Sequence, residues 1–393
     1  MDFALPESAL AVQEGVGRVA AKFDLAYWDR CDAEHTWPEE LWQELAGSGW
    51  IGLAIPEEYG GGGQGLLELV VATECLAASG AGGAASLLYV LTPGFGGLTV
   101  SRHGTAEQKA ELLPGMATGE IEACFAITEP DAGSNAFAIT TFARREGSDF
   151  VVNGRKIWTS GAARSKWMLL VCRTTLAIDN PRSSSGFTIL LVDIPEALAN
   201  GSLTLTPVPK MGTNVVPSYM VYLDDVHVPA SRVLGEVDRG FTVLWDILNP
   251  ERALVAAGAV GSADLTLRLA CDYANQREVF DRPIGANQGV AFPLAHVKAQ
   301  TELARLMTYK AAWLYDNDLP SGTESNVAKY TAANACFDAA DRAFQTFGGM
   351  AYATEYPIAR IFRDARILRT IPVSEELILS HIATQSLGLP RSY

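Results

Sequence analysis

The 393-residue sequence predicts an α+β chain of several domains, helical at both ends and built of strands in the middle. Three observations predict it. Apolar residues make up 48% and charged residues 19%, enough to bury a large core and too apolar for a disordered chain. The hydrophobic period is helical up to about Glu120, strand-like from about Ala123 to Leu234, and helical again from Gly240. Strands do not alternate with helices, which argues against a doubly wound nucleotide-binding sheet. The expected boundaries are 1–122 for an N-terminal α-helical domain, 123–235 for a middle β-domain and 236–393 for a C-terminal α-helical domain.

In the first region Pro38 to Leu45 reads as a helix with Thr36 as its N-cap, and Thr105-Ala-Glu-Gln opens another with capping-box chemistry. Tyr59 to Gly65 is a glycine-rich loop. It lacks the preceding strand and the following Lys-Ser/Thr of a phosphate loop. Cys75 to Ser101 carries no charge and is long enough to span a bilayer, but glycines and Pro93 interrupt it. It is read as buried helices, with no membrane insertion. In the middle region Phe150–Val152 and Lys156–Thr159 flank Asn153-Gly154, a strong hairpin signal. Further strands are expected over Trp167–Thr174, Gly186–Asp193 and Tyr219–Leu223. Helices follow over Val297–Tyr315 and Asn326–Thr346. Asn249-Pro250-Glu251 reads as a helix N-terminus or as a proline kink in a longer helix.

The net charge of −15 and pI of about 4.8 disfavour nucleic acid and anionic lipid as partners. Six scattered cysteines contain no CxxC and the five histidines no HExxH, so no disulfide scaffold or metal site is suggested. The opening residues lack a basic n-region and an apolar h-region. No signal peptide is read, and a cytoplasmic location is expected.

Five constellations are candidates for chemistry. Phe125 to Asn135 ends a strand in a turn rich in hydroxyls and amides, and reads as a flat-ligand edge or a Pro-Asp turn. Trp158-Thr159-Ser160 joins a ring face to two hydroxyls, suiting an aromatic ligand or core packing. Glu251, before a small-residue helix face, is a candidate general base or a capping carboxylate paired with Arg252. Arg277 to Gly285, with Gln288 beyond, could meet a pyrophosphate, and Gln345 to Gly349 permits close backbone approach.

These segments in this order resemble the acyl-CoA dehydrogenase family of flavoproteins, over nearly the whole chain. Ile55 to Gly61, Gly104 to Lys109 with Leu113-Pro114, Asp225 to Pro229, Glu302 to Arg305, Thr354 to Pro357 and Arg363-Asp-Ala365 support the match. The resemblance implies a middle antiparallel β-barrel-like domain, a C-terminal four-helix bundle and a homotetramer or homodimer. It implies FAD, with Phe125, Ile127, Thr128, Trp158, Thr159, Ser160 and Ser374 at the flavin and Ser134 near both flavin and substrate. Arg277, Phe280 and Gln288 would hold the pyrophosphate and adenosine side, with Gln345 and Gly349 reaching in from a neighbouring subunit. An acyl-CoA thioester would become the trans-2-enoyl-CoA, a base taking the α-proton while the β-hydrogen leaves as hydride to flavin N5. Electron-transfer flavoprotein is the implied acceptor, and direct reaction with oxygen is a further possibility.

Most of the family keeps the base shortly after the Arg-Asp-Ala motif, where this chain has Pro372. A branch that includes isovaleryl-CoA and long-chain dehydrogenases carries it where this chain has Glu251. The resemblance therefore implies Glu251 as catalytic base with Arg252 orienting the site, ahead of Glu375 or Glu376. Two departures stand out. Pro372 has no N–H to polarise the thioester carbonyl, a task Val373 N–H or the flavin ribityl would take over. Asp281 replaces the Gly that usually follows the Phe. The alternatives are the same chemistry on a carrier-protein-bound acyl or aminoacyl group, or a catalytically inactive assembly protein.

Overall fold

The computed structural model describes residues 4–176 and 184–391. The chain opens with helices α1 (Glu7–Ala20), α2 (Leu25–Glu34), α3 (Glu39–Gly47), α4 (Leu66–Leu76), α5 (Ala84–Tyr89), α6 (Thr99–His103) and α7 (Ala106–Ala117). Thr105 caps α7 as expected, accepting from Gln108 N. Thr36 does not cap α3. That helix begins after Pro38 with no side-chain cap, its first turn carrying Glu39 and Glu40 at the positive end of the helix dipole. The charge-free stretch after α4 is buried and broken into wide π-type turns over Ala77–Ala81 and Val90–Leu98, the second containing Pro93. A proline inside a helix removes one donor and clashes one turn back, which favours such a local rewinding. The two helical stretches apolar enough to cross a bilayer, Ala84–His103 and Gly240–Gln276, are mostly buried within the fold.

Strands β1 (Ala123–Ala126), β2 (Phe142–Glu146), β3 (Asp149–Ser160), β4 (Trp167–Arg173), β5 (Phe187–Asp193), β6 (Leu203–Pro207), β7 (Ser218–Val228) and β8 (Val233–Leu234) make one sheet, with helix α8 (Ile194–Ala199) between β5 and β6. The order is β6-β7-β3-β2-β4-β5-β8, with β1 added on β4. The sheet is not wholly antiparallel. Both β1 and β2 run parallel to β4, because the β2–β3 hairpin lies between them and β4 in the chain. The path leaves β6 and β8 as separate ends, so no closed barrel forms among the described residues.

The hairpin expected at Asn153-Gly154 lies elsewhere. The turn falls at Gly147-Ser148, between paired Glu146 and Asp149, with Gly147 at φ 63. Asn153 and Gly154 sit inside one continuous β3 at a register shift. Asn153 exchanges two hydrogen bonds with Asp225 across to β7, and a Cβ on Gly154 would lie 2.5 Å from Thr141 Oγ1.

The last region has α9 (Gly240–Gln276), the two-residue strands β9 (Glu278–Val279) and β10 (Arg282–Pro283), α10 (Gln288–Asp316), α11 (Gly322–Phe347), α12 (Ile358–Ile367) and α13 (Glu375–His381). Pro250 lies within α9, so the second sequence reading of that motif holds. The start of α11 lies by Asn249 of α9 and its end stacks Phe347 on Tyr273 at 4.1 Å, so α9 and α11 run side by side in one direction. Small residues let α9 sit against α4 and α5. A Cβ on Gly261 would lie 2.2 Å from Glu74 O, a backbone atom that cannot swing aside. Gly261→Ala is therefore expected to destabilise the fold by about 1–3 kcal/mol, read as a lower urea midpoint, despite alanine's better helix propensity. An unchanged midpoint would show that the α4–α9 approach is slack.

Candidate active site

Glu251 sits about three turns into α9, where Pro250 and Ile247 turn the helix face toward Val90, Phe95 and Leu98. Together with Gly94 and Leu254 they line a tight apolar crevice. The carboxyl is half-buried at its wall. Burial pushes it up from 4.5 to about 7, against the opposing pull of Arg252 and Lys329. Arg252 does not pair with it. Its Nη1 donates back along the helix to Leu248 O at 3.1 Å and Asn249 Oδ1 at 3.2 Å, and its Nε is buried without a partner. The capping-pair reading of Glu251 is thus not what the geometry shows.

The loop before α13 is tied to α11. Lys329 of α11 is fully buried and donates from Nζ to Val373 O at 2.7 Å. Glu375 is held elsewhere, accepting two hydrogen bonds of 3.0 Å from Arg369 and one of 2.7 Å from Asn334. Glu376 is exposed. Ser374 caps α13, accepting from Leu377 N. Val373 N–H has no hydrogen-bond partner among the described residues.

The strand residues expected at a flavin come together beside the same cavity. Phe125 of β1 stacks on Phe95, ring centroids 4.5 Å apart, so one ring wall serves both. Thr128 O accepts from Ile157 N at 2.9 Å, which sets Ile127 and Thr128 alongside Trp158, Thr159 and Ser160. Trp158 takes φ 62 and keeps its indole 52% exposed, an arrangement unusual for a bulky side chain. Thr159 is fully buried, yet its hydroxyl has no partner. Ser160 Oγ meets Ser218 Oγ at 2.9 Å. Ser134 is exposed on the turn that follows the Glu129–Ala132 bridge. An orphaned buried hydroxyl, an open indole face and a phenyl ring with a stacked backing fit a flat heterocycle with a hydrogen-bonding edge.

Arg277, Phe280, Gln288, Gln345 and Gly349 are not there. At roughly 1.5 Å per residue, the run of α9 from Glu251 puts Arg277 about 40 Å away. Phe280 is 94% exposed at φ 54 in the β9–β10 turn, followed by Asp281 at φ 60. Gln345 and Gly349 lie at that same end, two residues to either side of Phe347, which stacks on Tyr273. Arg277, Phe280 and Gln288 of the same chain therefore lie far from the cavity beside Glu251. Chain order does not reveal this; the length of α9 does.

Sequence reasoning also missed three contributors. Phe95 was hidden in the charge-free stretch. Lys329 stands alone among Ala328, Ala332 and Ala333, an anomaly that could have been flagged. Lys156, fully buried, donates to Ile127 O at 2.9 Å and Glu129 Oε1 at 2.8 Å beneath the strand residues just described.

Residues 6–120, 124–226 and 238–387 match in turn the N-terminal, middle and C-terminal domain models of acyl-CoA dehydrogenase. The chain is 40% identical over 389 residues to acyl-CoA dehydrogenase FadE12 of Mycobacterium tuberculosis, covering 98% of each. The structure of glutaryl-coenzyme A dehydrogenase in complex with glutaryl-CoA superposes with a TM-score of 0.93 at 30% identity, covering 100% of this chain and 98% of that one. Butyryl-CoA dehydrogenase from Megasphaera elsdenii gives 0.89 at 28% identity, with 96% and 98% covered.

Proposed function

The chain belongs to the acyl-CoA dehydrogenase family, and from that premise we propose that it oxidises an acyl-CoA thioester to the trans-2-enoyl-CoA with Glu251 as the base. The observation that carries the assignment is a carboxyl poised near neutrality in an apolar cavity whose Phe95 wall is shared with Phe125. A base of that strength can take an α-proton and later release it. The enzyme is an oxidoreductase acting on CH–CH groups, and FAD is its cofactor, supplying the acceptor for the β-hydride. Phe125, Ile127, Thr128, Trp158, Thr159 and Ser160 would hold the flavin ring, with Ser374 and Ser134 at its margins.

The apolar crevice keeps water from the Glu251 carboxyl and so raises its appetite for a proton. Arg252 keeps the helix end ordered through Leu248 and Asn249 rather than touching the proton. Pro372 offers no N–H, and Val373 N–H is the free donor nearest in sequence for the thioester carbonyl. The distance of Arg277, Phe280 and Gln288 from Glu251 favours a second copy supplying them, together with Gln345 and Gly349, to a homotetramer or homodimer. Electron-transfer flavoprotein is the acceptor in this reading. Free cysteines, all but Cys271 shielded or partly shielded, suit a cytoplasmic location.

The test is direct. Purified protein is expected to be yellow, and an acyl-CoA panel under anaerobic conditions to bleach its flavin. A colourless protein, or bleaching only by carrier-bound thioesters, would overturn the CoA assignment.

A further inference from the structure

We propose that Lys329 is a positioning residue for the Glu251 chemistry: its buried ammonium, bonded to Val373 O, fixes the turn that carries the free Val373 N–H and directs positive charge toward the carboxyl. The inference rests on the reading of Glu251 as the base. Its geometry is that of a fully buried lysine with one hydrogen bond, to Val373 O at 2.7 Å, and no ion pair among the described residues. A buried ammonium is costly without a charge partner, so such a side chain is seldom mere filling. It lies on the α11 face turned to α9 and to α13. The charged groups facing it are Glu251 and Arg252 from α9 and Glu375 and Glu376 from α13.

These neighbours decide the sign. Glu375 is the nearer counterion in effect, but Arg369 and Asn334 already hold its oxygens. Glu376 is exposed and screened. Arg252 adds a second positive charge beside Glu251, and burial, with Arg252 after it, opposes protonation of His381. Glu251 thus feels two cations, of which Arg252 is bound to its own helix and Lys329 bridges to the loop. Burial brings Lys329 itself down to about 8, so it is charged where Glu251 titrates. Removing its charge should leave the carboxyl more reluctant to ionise.

Three variants separate grip from charge. Lys329→Gln keeps a donor for Val373 O without the charge. Lys329→Met removes both and stays folded, since it replaces a buried charge by an apolar chain of similar shape. Lys329→Arg restores the charge. Glutamate labelled with ¹³C at Cδ reports the Glu251 carboxyl, identified by the resonance lost in Glu251→Gln, and flavin bleaching by acyl-CoA is followed across pH in parallel. In Lys329→Gln and Lys329→Met the Glu251 resonance and the rising limb of the bleaching profile should both move up by about one pH unit, a roughly tenfold smaller ionised fraction at acidic pH. Lys329→Arg should bring both back. If the resonance stays at its wild-type position in the first two variants, Lys329 is structural only and the proposal falls. If instead the resonance moves while Glu251→Gln bleaches normally, it is the base assignment that fails.

Discussion

Glu251→Gln is expected to leave FAD bound and the protein yellow while lowering the rate of flavin bleaching by acyl-CoA by about 10²–10⁴-fold or more. The amide matches the carboxyl in shape, so the cavity formed with Phe95, Leu98 and Leu254 persists, but it cannot accept the α-proton. Wild-type bleaching should rise with pH through about 7, because only the ionised carboxyl is a base and burial delays its ionisation to that range. Stability should move the other way. The folded chain keeps a proton on Glu251 that the unfolded chain releases from about 4.5 upward, so wild type loses roughly 3 kcal/mol between there and about 7. Glu251→Gln lacks that slope and should melt higher than wild type at pH 8. Bleaching at near wild-type rate in this variant, with loss in Glu375→Gln or Glu376→Gln, would sink the assignment.

That trade of stability for a poised base explains which features could be read from the sequence. The helix–strand–helix order was legible because burial imposes a period on every element, and α7 announced itself through Thr105 and Gln108. Glu251 stood out as a carboxylate ahead of a small-residue apolar run, but the run continues a longer helix that places it about three turns inside α9. The Asn153-Gly154 signal misled because the same pair that favours a tight turn also favours a bulge, and Thr141 and Asp225, distant in sequence, decided between them. Phe95 could not be placed, since its neighbours in a charge-free stretch are equally apolar and only the pairing of β1 beside β4 brings Phe125 onto it. The separation of Arg277 from Glu251 was hidden for a different reason: a motif list records order along the chain, whereas a long straight helix turns order into distance.

Lys156→Met is expected to be the most destabilising single change in the middle domain, at about 3–5 kcal/mol, and to release FAD. The ammonium and the Glu129 carboxyl are both buried, 2.8 Å apart, and Glu129 also accepts from Thr140 N at 2.7 Å, Thr140 Oγ1 at 2.9 Å and Thr141 N at 2.9 Å. Burial alone would raise the Glu129 carboxyl. Lys156 and the two threonines outweigh it and hold the group at about 2. Its stabilising contribution is therefore fully present above the usual carboxylate range and is lost progressively as pH falls from there through about 2. Methionine keeps the volume but leaves Glu129 as an uncompensated buried charge, and it frees Ile127 O, so the edge formed by Ile127 and Thr128 loses its support. The deficit should be larger at pH 8 than at pH 5, since the stranded carboxyl can recover part of it by taking up a proton. Adding Glu129→Gln should restore much of the melting temperature, because the threonine donors keep an acceptor and no charge remains. If Lys156→Met melts like wild type and retains its flavin, the pair is not what fixes this edge of the site.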